Sequence, residues 1–197
     1  MGYDFELEDN RAKRTKILKF IIISIIEIAV VILAAFLITH FGLEKMQVTG
    51  DYMRPTLSNN DTIIINKMSY KLHSIKRNDV VVVKQSGSEH NYYIVERVIG
   101  LPGEKVKIDN GMVYIDGKKL KEKYKFPTME NGGLALEEIE LDDGEYFMLC
   151  DNRNEGEDSR NANIGNVLKS DVVGKAWLKA GTWSFIKSIN NFDNKGK

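Results

Sequence analysis

The chain has 197 residues, and its 28 Lys+Arg are matched by 28 Asp+Glu, so no global field points to nucleic acid as a partner. One cysteine, Cys150, excludes an intramolecular disulfide, and an exported domain would rest on its core alone. No His/Cys/Asp cluster has metal-ligand spacing, and neither a metal nor another cofactor is expected.

The first strong signal is the apolar run from Phe20 to Phe41, whose only charge at neutral pH is Glu27. As a helix rising ~1.5 Å per residue it spans roughly 33 Å, the thickness of a bilayer core. A cleaved signal peptide would have a shorter apolar core ending at small residues. His40-Phe41-Gly42-Leu43-Glu44 is a poor cleavage site, so the run reads as an uncleaved anchor. Arg11, Lys13, Arg14, Lys16 and Lys19 precede it and only Lys45 follows closely, which places the N-terminus in the cytoplasm and the rest outside. The expected organisation is a cytoplasmic tail (1–19) with a disordered acidic start, a single span (20–42), an extracytoplasmic domain (43–187) and a flexible tail (188–197). Glu27 is either a protonated carboxyl satisfied locally or a polar contact to a partner helix.

Beyond the anchor the signals are short and β-like. Thr62 to Ile65 and Val80 to Val83 are β-branched runs, and Tyr92 to Val95 mixes aromatic and β-branched residues. Lys105 to Ile108 alternates charged and apolar residues, and Val113 to Asp116 does so in part, with Asn110-Gly111 between them as a tight hairpin turn. Asp116-Gly117 and Asp143-Gly144 are further turns. Lys118 to Leu141 reads as a polar, irregular excursion, its lysine-rich start a solvated edge or loop. Tyr146 to Leu149 and Val172 to Leu178 read as buried strands. Trp177 is expected in the core, while Trp183 and Phe185 fit either core or membrane surface. His73 and His90 read as solvated. The domain should be mainly β, an antiparallel sheet behind one N-terminal transmembrane helix.

Three segments follow one another in order: Gly50-Asp51-Tyr52-Met53-Arg54-Pro55-Thr56-Leu57, then Glu96-Arg97-Val98-Ile99-Gly100-Leu101-Pro102-Gly103-Glu104, then Cys150-Asp151-Asn152-Arg153-Asn154-Glu155-Gly156-Glu157-Asp158-Ser159-Arg160. Two of the chain's three prolines, Pro55 and Pro102, fall in these boxes. The boxes resemble, in order, the Gly/Ser-x-Ser-Met-x-Pro-Thr-Leu, Lys-Arg-x-x-Gly-x-Pro-Gly-Asp/Glu and Gly-Asp-Asn-Arg-x-x-Ser-x-Asp-Ser-Arg boxes of the type I signal peptidases. The resemblance runs over roughly residues 20 to 180.

The resemblance implies a serine nucleophile and a lysine general base, the lysine made neutral by burial and oriented by a further serine. It also implies cleavage of secreted preproteins after small residues, with the substrate extended along a strand edge beside Gly50, Asp51, Met53 and Pro55. Arg97, Asp151, Asp158, Ser159 and Arg160 would be structural near the site, with an Asp158–Arg160 ion pair fastening the third box.

The chain departs from this pattern where protons are handled. Registered on Met53, Pro55 and Thr56, the nucleophile position holds Tyr52; registered on Arg97, Gly100 and Pro102, the base position holds Glu96; the orienting serine is replaced by Gly156 and the leading glycine by Cys150. A Tyr52–Glu96 dyad would need a carboxylate to deprotonate a phenol across several pKa units. An Asp51–Glu96 pair sharing a proton is another arrangement the sequence leaves open. Ser58, Ser69 and Ser74 read as ordinary surface residues. The expectation is a family member without an intact catalytic dyad that handles exported preproteins at the outer membrane face. Degenerate members accompany fibre assembly in some Gram-positive bacteria, so surface-fibre or pilus subunits are candidate clients beside the lipid bilayer. A working signal peptidase and a structural membrane partner acting through Glu27 are the alternatives.

Overall fold

The computed structural model describes residues 3–86, 91–122 and 126–186. His90 and the expected tail at 188–197 lie outside them. The chain divides between Gly42 and Leu43 into two compact units.

The first unit is one helix, α1 (Tyr3–Gly42). The acidic start, expected to be disordered, lies on this helix, which begins well before Phe20. The sequence has no Gly or Pro between Tyr3 and Phe41 to stop it. Arg14–Leu37, 24 residues, is long and apolar enough to cross a membrane. Its apolar side chains, Ile21, Ile25, Val30 and Leu33 among them, point to all sides and are exposed. A helix apolar all round needs an apolar medium, not one packed face.

The second unit is mainly antiparallel β. Its elements are β1 (Leu43–Gln47), β2 (Thr62–Asn66), the short helix α2 (Ser69–Leu72), β3 (Val80–Ser86), β4 (Asn91–Gly100), β5 (Lys105–Asp109), β6 (Met112–Ile115), β7 (Lys118–Lys119), β8 (Ile139–Glu140), β9 (Glu145–Leu149), β10 (Val167–Leu168), β11 (Val172–Lys179) and β12 (Ser184–Phe185). The larger sheet runs β1-β2-β11-β3-β4-β9-β10, with β12 beside β11; the smaller runs β7-β6-β5-β8.

The four valines of β3 are all buried because the strand is central, paired with β11 and β4, and covered on both faces. Val80 and Val82 pack with Met53, Leu57, Ile63 and Val95; Val81 and Val83 pack with Val98, Tyr146 and Met148. Asn110 and Gly111, at φ 47° and 71°, form the β5–β6 turn, and Asp116 and Gly117, at 50° and 72°, repeat it between β6 and β7. The excursion is more than a loop. β7 and β8 lie in it, and Met129, Ala135 and Leu141 are buried against Val106, Ile108 and Phe147. Trp177 is not core: Ala176 and Leu178 take the buried side of β11, leaving Trp177 on the outer side, 36% exposed and against Phe185 at 5.7 Å between ring centroids. Trp183 and Phe185 are exposed.

Candidate functional site

The segment after β1 is a turn held from within. Gly50, at φ +82°, donates its N–H to Asn59 Oδ1 (3.0 Å), and Asn59 N–H donates to Asp51 Oδ1 (3.0 Å). Met53 and Leu57 drop into the core, Leu57 N–H donating to Met53 O (2.8 Å), and the Arg54–Pro55 peptide is cis. Tyr52 O accepts a hydrogen bond from Asn152 N–H (2.9 Å), which ties the turn to the loop after β9.

The Tyr52 ring lies between two glycines. A Cβ on Gly50 would fall 2.5 Å from Tyr52 Cε2, and one on Gly156 would fall 2.5 Å from Cδ1, the ring atom para to it. No side chain of any size fits at either position with the ring where it is.

Two buried arginines fasten the surroundings. Arg97, on β4, grips Asp151 with Nε–Oδ1 at 2.6 Å and Nη2–Oδ2 at 2.5 Å, and donates from Nη1 to Asn78 O (2.8 Å) and from Nη2 to Thr56 Oγ1 (3.1 Å). Thr56 in turn donates to Asp151. One network thus joins the first, second and third boxes through a two-toothed ion pair, the strong form of the contact. Arg160 grips Asp158 in the same way, at 2.8 Å on both teeth, and donates to the carbonyls of Asn131 (3.0 Å) and Arg153 (2.7 Å). Asp158 also accepts from Cys150 N–H (3.0 Å), and Ser159 Oγ accepts from Met148 N–H (2.9 Å).

Glu96 sits beside Arg97 on β4 and has the opposite fate. It pairs with Val81 across the ladder and shares its face of the strand with Ile94 and Val98. It is fully buried, and neither carboxylate oxygen has a hydrogen-bond partner among the described residues. Burial, and next the negative charge of Asp158, push its pKa well above the ordinary carboxylate range, against the opposing pull of Arg160. Burial thus favours the neutral carboxyl, the form that can donate through its O–H.

These residues meet at a cleft of about 650 Å³ lined by Met46 to Gly50, Tyr52, Met53, Tyr92 to Glu96, Cys150, Gly156, Glu157 and Ile164. No serine and no lysine is in that lining. The Cys150 thiol is pushed up chiefly by burial and is a poor thiolate source. No group of three or more His, Cys, Asp or Glu among the described residues is placed to hold a metal.

The family described as "Signal peptidase, peptidase S26" matches residues 21–180, most of the chain. The chain belongs to the signal peptidase I family. It is 30% identical over 170 residues to "Probable signal peptidase I-1" of Synechocystis, covering 80% of this chain and 85% of that protein. It is 34% identical over 154 residues to "Signal peptidase I T" of Bacillus subtilis, covering 75% and 78%. A crystal structure of a signal peptidase I from Enterococcus faecalis aligns with 52% of this chain and 97% of that one, at 26% identity and a TM-score of 0.41.

Within this signal peptidase I family member, the structure gathers most of the residues singled out from the sequence. Gly50, Tyr52, Met53, Glu96 and Gly156 line the cleft together. Asp51 and Pro55, expected beside a bound peptide, are outside that lining: Asp51 turns away to Asn59 and to Arg54 Nε (2.8 Å), and the exposed Pro55 lies beyond the turn. Neither alternative acid–base pair is assembled. Glu96 Oε1 and Oε2 bond nothing, so they do not bond the Tyr52 phenol, and the charges acting on Glu96 are those of Asp158 and Arg160, not Asp51. The cleft wall also includes Gln47, Val48 and Thr49 and the tyrosines of β4, which no box motif marks; the Tyr92-Tyr93 pair at a strand start, 45% and 53% exposed, is the signal the sequence carries for it.

Proposed function

We propose that this member of the signal peptidase I family holds extended segments of exported proteins at the outer membrane face without cutting them. The observation that carries the reading is the pairing of an intact box scaffold with Tyr52 and Glu96 at the two proton-handling positions, in a cleft whose lining offers neither serine nor lysine. Peptide hydrolysis by this family's chemistry needs a hydroxyl and a neutral amine in contact.

The cleft suits an extended peptide. β4 pairs with β3 from Asn91 to Arg97, but only from Arg97 onward does it pair with β9, so Tyr92 to Glu96 present one edge with no strand partner among the described residues. That edge fronts the cleft, and a strand added there would gain main-chain hydrogen bonds. In this reading α1 is a single membrane span with the basic cluster Arg11 to Lys19 on the cytoplasmic side, and residues 43–187 lie outside. Exported preproteins are the clients, with subunits of surface fibres the narrower candidate.

A second reading, a working signal peptidase, is favoured by the 30–34% identity to proteins named signal peptidases. One experiment separates the two. The purified full chain in detergent micelles is mixed with a synthetic signal-peptide substrate, binding is followed by anisotropy and cleavage by mass spectrometry. Binding without product is the expected result. Cleavage that disappears on Tyr52→Phe would overturn the proposal.

A further inference from the structure

The carboxyl of Glu96 is the polar group in the cleft wall whose bonding the fold leaves unfinished. Its neighbours are committed elsewhere. Asp158 is taken by Arg160 and Cys150 N–H, Arg160 by Asp158 and two carbonyls, and the Cys150 thiol faces Glu157 O at 3.7 Å. The facing β3 residue is Val81, which offers nothing. A buried polar group without a partner is costly and asks for an explanation, and a ligand that completes its bonding is one.

We propose that Glu96 is the polar anchor of the cleft, its O–H donating to a main-chain carbonyl of the extended peptide. This inference rests on the peptide-holding reading above and adds to it the residue that grips. A free carbonyl is the acceptor an extended chain supplies at every residue, and the unpaired edge of Tyr92 to Glu96 sets such a chain alongside. In this structure the carboxyl is shielded from solvent, and the peptide reaches it by displacing part of that shield. Tyr52, Tyr92 and Tyr93, 48%, 45% and 53% exposed, are the rings that line the same cleft.

The titratable and charged groups around Glu96 are Asp158, Arg160 and Cys150 from the third box, Tyr52 from the first, Glu157 on the rim, and Tyr92 and Tyr93 on its own strand. Burial and Asp158 keep the carboxyl protonated, which is the form that donates. Peptide binding is therefore strongest at acid pH and weakens as rising pH removes that proton, at most about tenfold per pH unit for one proton.

The test uses the full chain in detergent micelles and a rhodamine-labelled Ala-rich peptide with blocked ends and no ionisable side chain, titrated by anisotropy between pH 5 and 9. Wild type should weaken as pH rises. Glu96→Gln, which donates at every pH, should bind with a flat profile, and Glu96→Leu should bind about tenfold more weakly than wild type at pH 5. Tryptophan fluorescence checks that each variant is folded. A pH slope that persists in Glu96→Gln, or Glu96→Leu binding as well as wild type at pH 5, overturns the anchor and leaves peptide holding intact. No binding by wild type at any pH overturns both.

Discussion

Gly156→Ala is the sharpest probe of the cleft. Gly156 sits at φ +90°, where a residue with a Cβ is strained by about 1–2 kcal/mol. The new methyl would also fall 2.5 Å from Tyr52 Cδ1, 2.9 Å from Cγ and 3.2 Å from Cβ. The last two atoms belong to the root of the side chain, so a flick of the ring tip does not relieve the clash. Sliding the ring the other way is limited by Gly50 at its para edge, and Tyr52 O is tied to Asn152 N–H. Forcing an extra group into such a contact costs about 1–3 kcal/mol. Gly156→Ala should therefore destabilise by about 2–5 kcal/mol in the wild-type background but only by about 1–2 kcal/mol in Tyr52→Ala, where the ring clash is gone and the backbone strain remains beside one tight contact to the residual Cβ. The assay is urea unfolding of the full chain in micelles followed by tryptophan fluorescence. Both tryptophans, Trp177 and Trp183, lie beyond the anchor helix, so the signal reports the β unit. Equal costs in the two backgrounds, within about 0.5 kcal/mol, would refute the claim that the ring fills the space beside Gly156.

Three further outcomes follow from the same geometry. Glu96 holds a proton in the folded state that the unfolded chain releases above about pH 4.5, so its contribution to stability should be complete below that pH and be lost as pH rises, by at most about 1.4 kcal/mol per pH unit. Glu96→Gln should remove that slope in unfolding curves measured from pH 4 to 8. Asp151→Ala leaves the Arg97 guanidinium buried without its anion and should cost about 3–5 kcal/mol, whereas Thr56→Val, which loses only a flanking hydroxyl, should cost about 1 kcal/mol. Tyr52→Ser with Glu96→Lys should give measurable cleavage of a signal-peptide substrate, and Gly156→Ser should raise that rate only in the background where Tyr52 is already serine.

Much of this fold can be read along the chain because its signals are local. Asn110-Gly111 needs two positive φ angles and produces the hairpin it announces. Four valines in a row announce a strand covered on both faces, which β3 is. Legibility fails where burial is decided by distant partners. Met129, Ala135 and Leu141 follow no period, and only their packing under the small sheet makes the excursion part of the core. Trp177 has a core-like side chain, but the alternation of β11 gives the buried side to Ala176 and Leu178. The extent of α1 is hard to read for a different reason: charge at the start suggests a free tail, yet nothing there interrupts a helix. In the site, the register of the boxes points to Tyr52, Glu96 and Gly156, but the sequence does not reveal that Asp51 faces outward or that Glu96 has no partner.

The departures from the family pattern in the first and third boxes are, in space, a single feature. A serine at 156 would bring a Cβ into the Tyr52 ring, and so would any residue larger than glycine at 50. Once an aromatic ring stands at position 52, glycine on both sides is the arrangement that lets the boxes close on each other, with Arg97, Thr56 and Asp151 still joined behind it. Glu96 is a separate matter. It makes no hydrogen bond to Tyr52, and its protonated state is set by burial and Asp158. Tyr52 and Glu96 are thus not a substitute dyad assembled from new parts. One fills space in the cleft, and the other leaves a donor in its wall, the group that the proposed binding role would use.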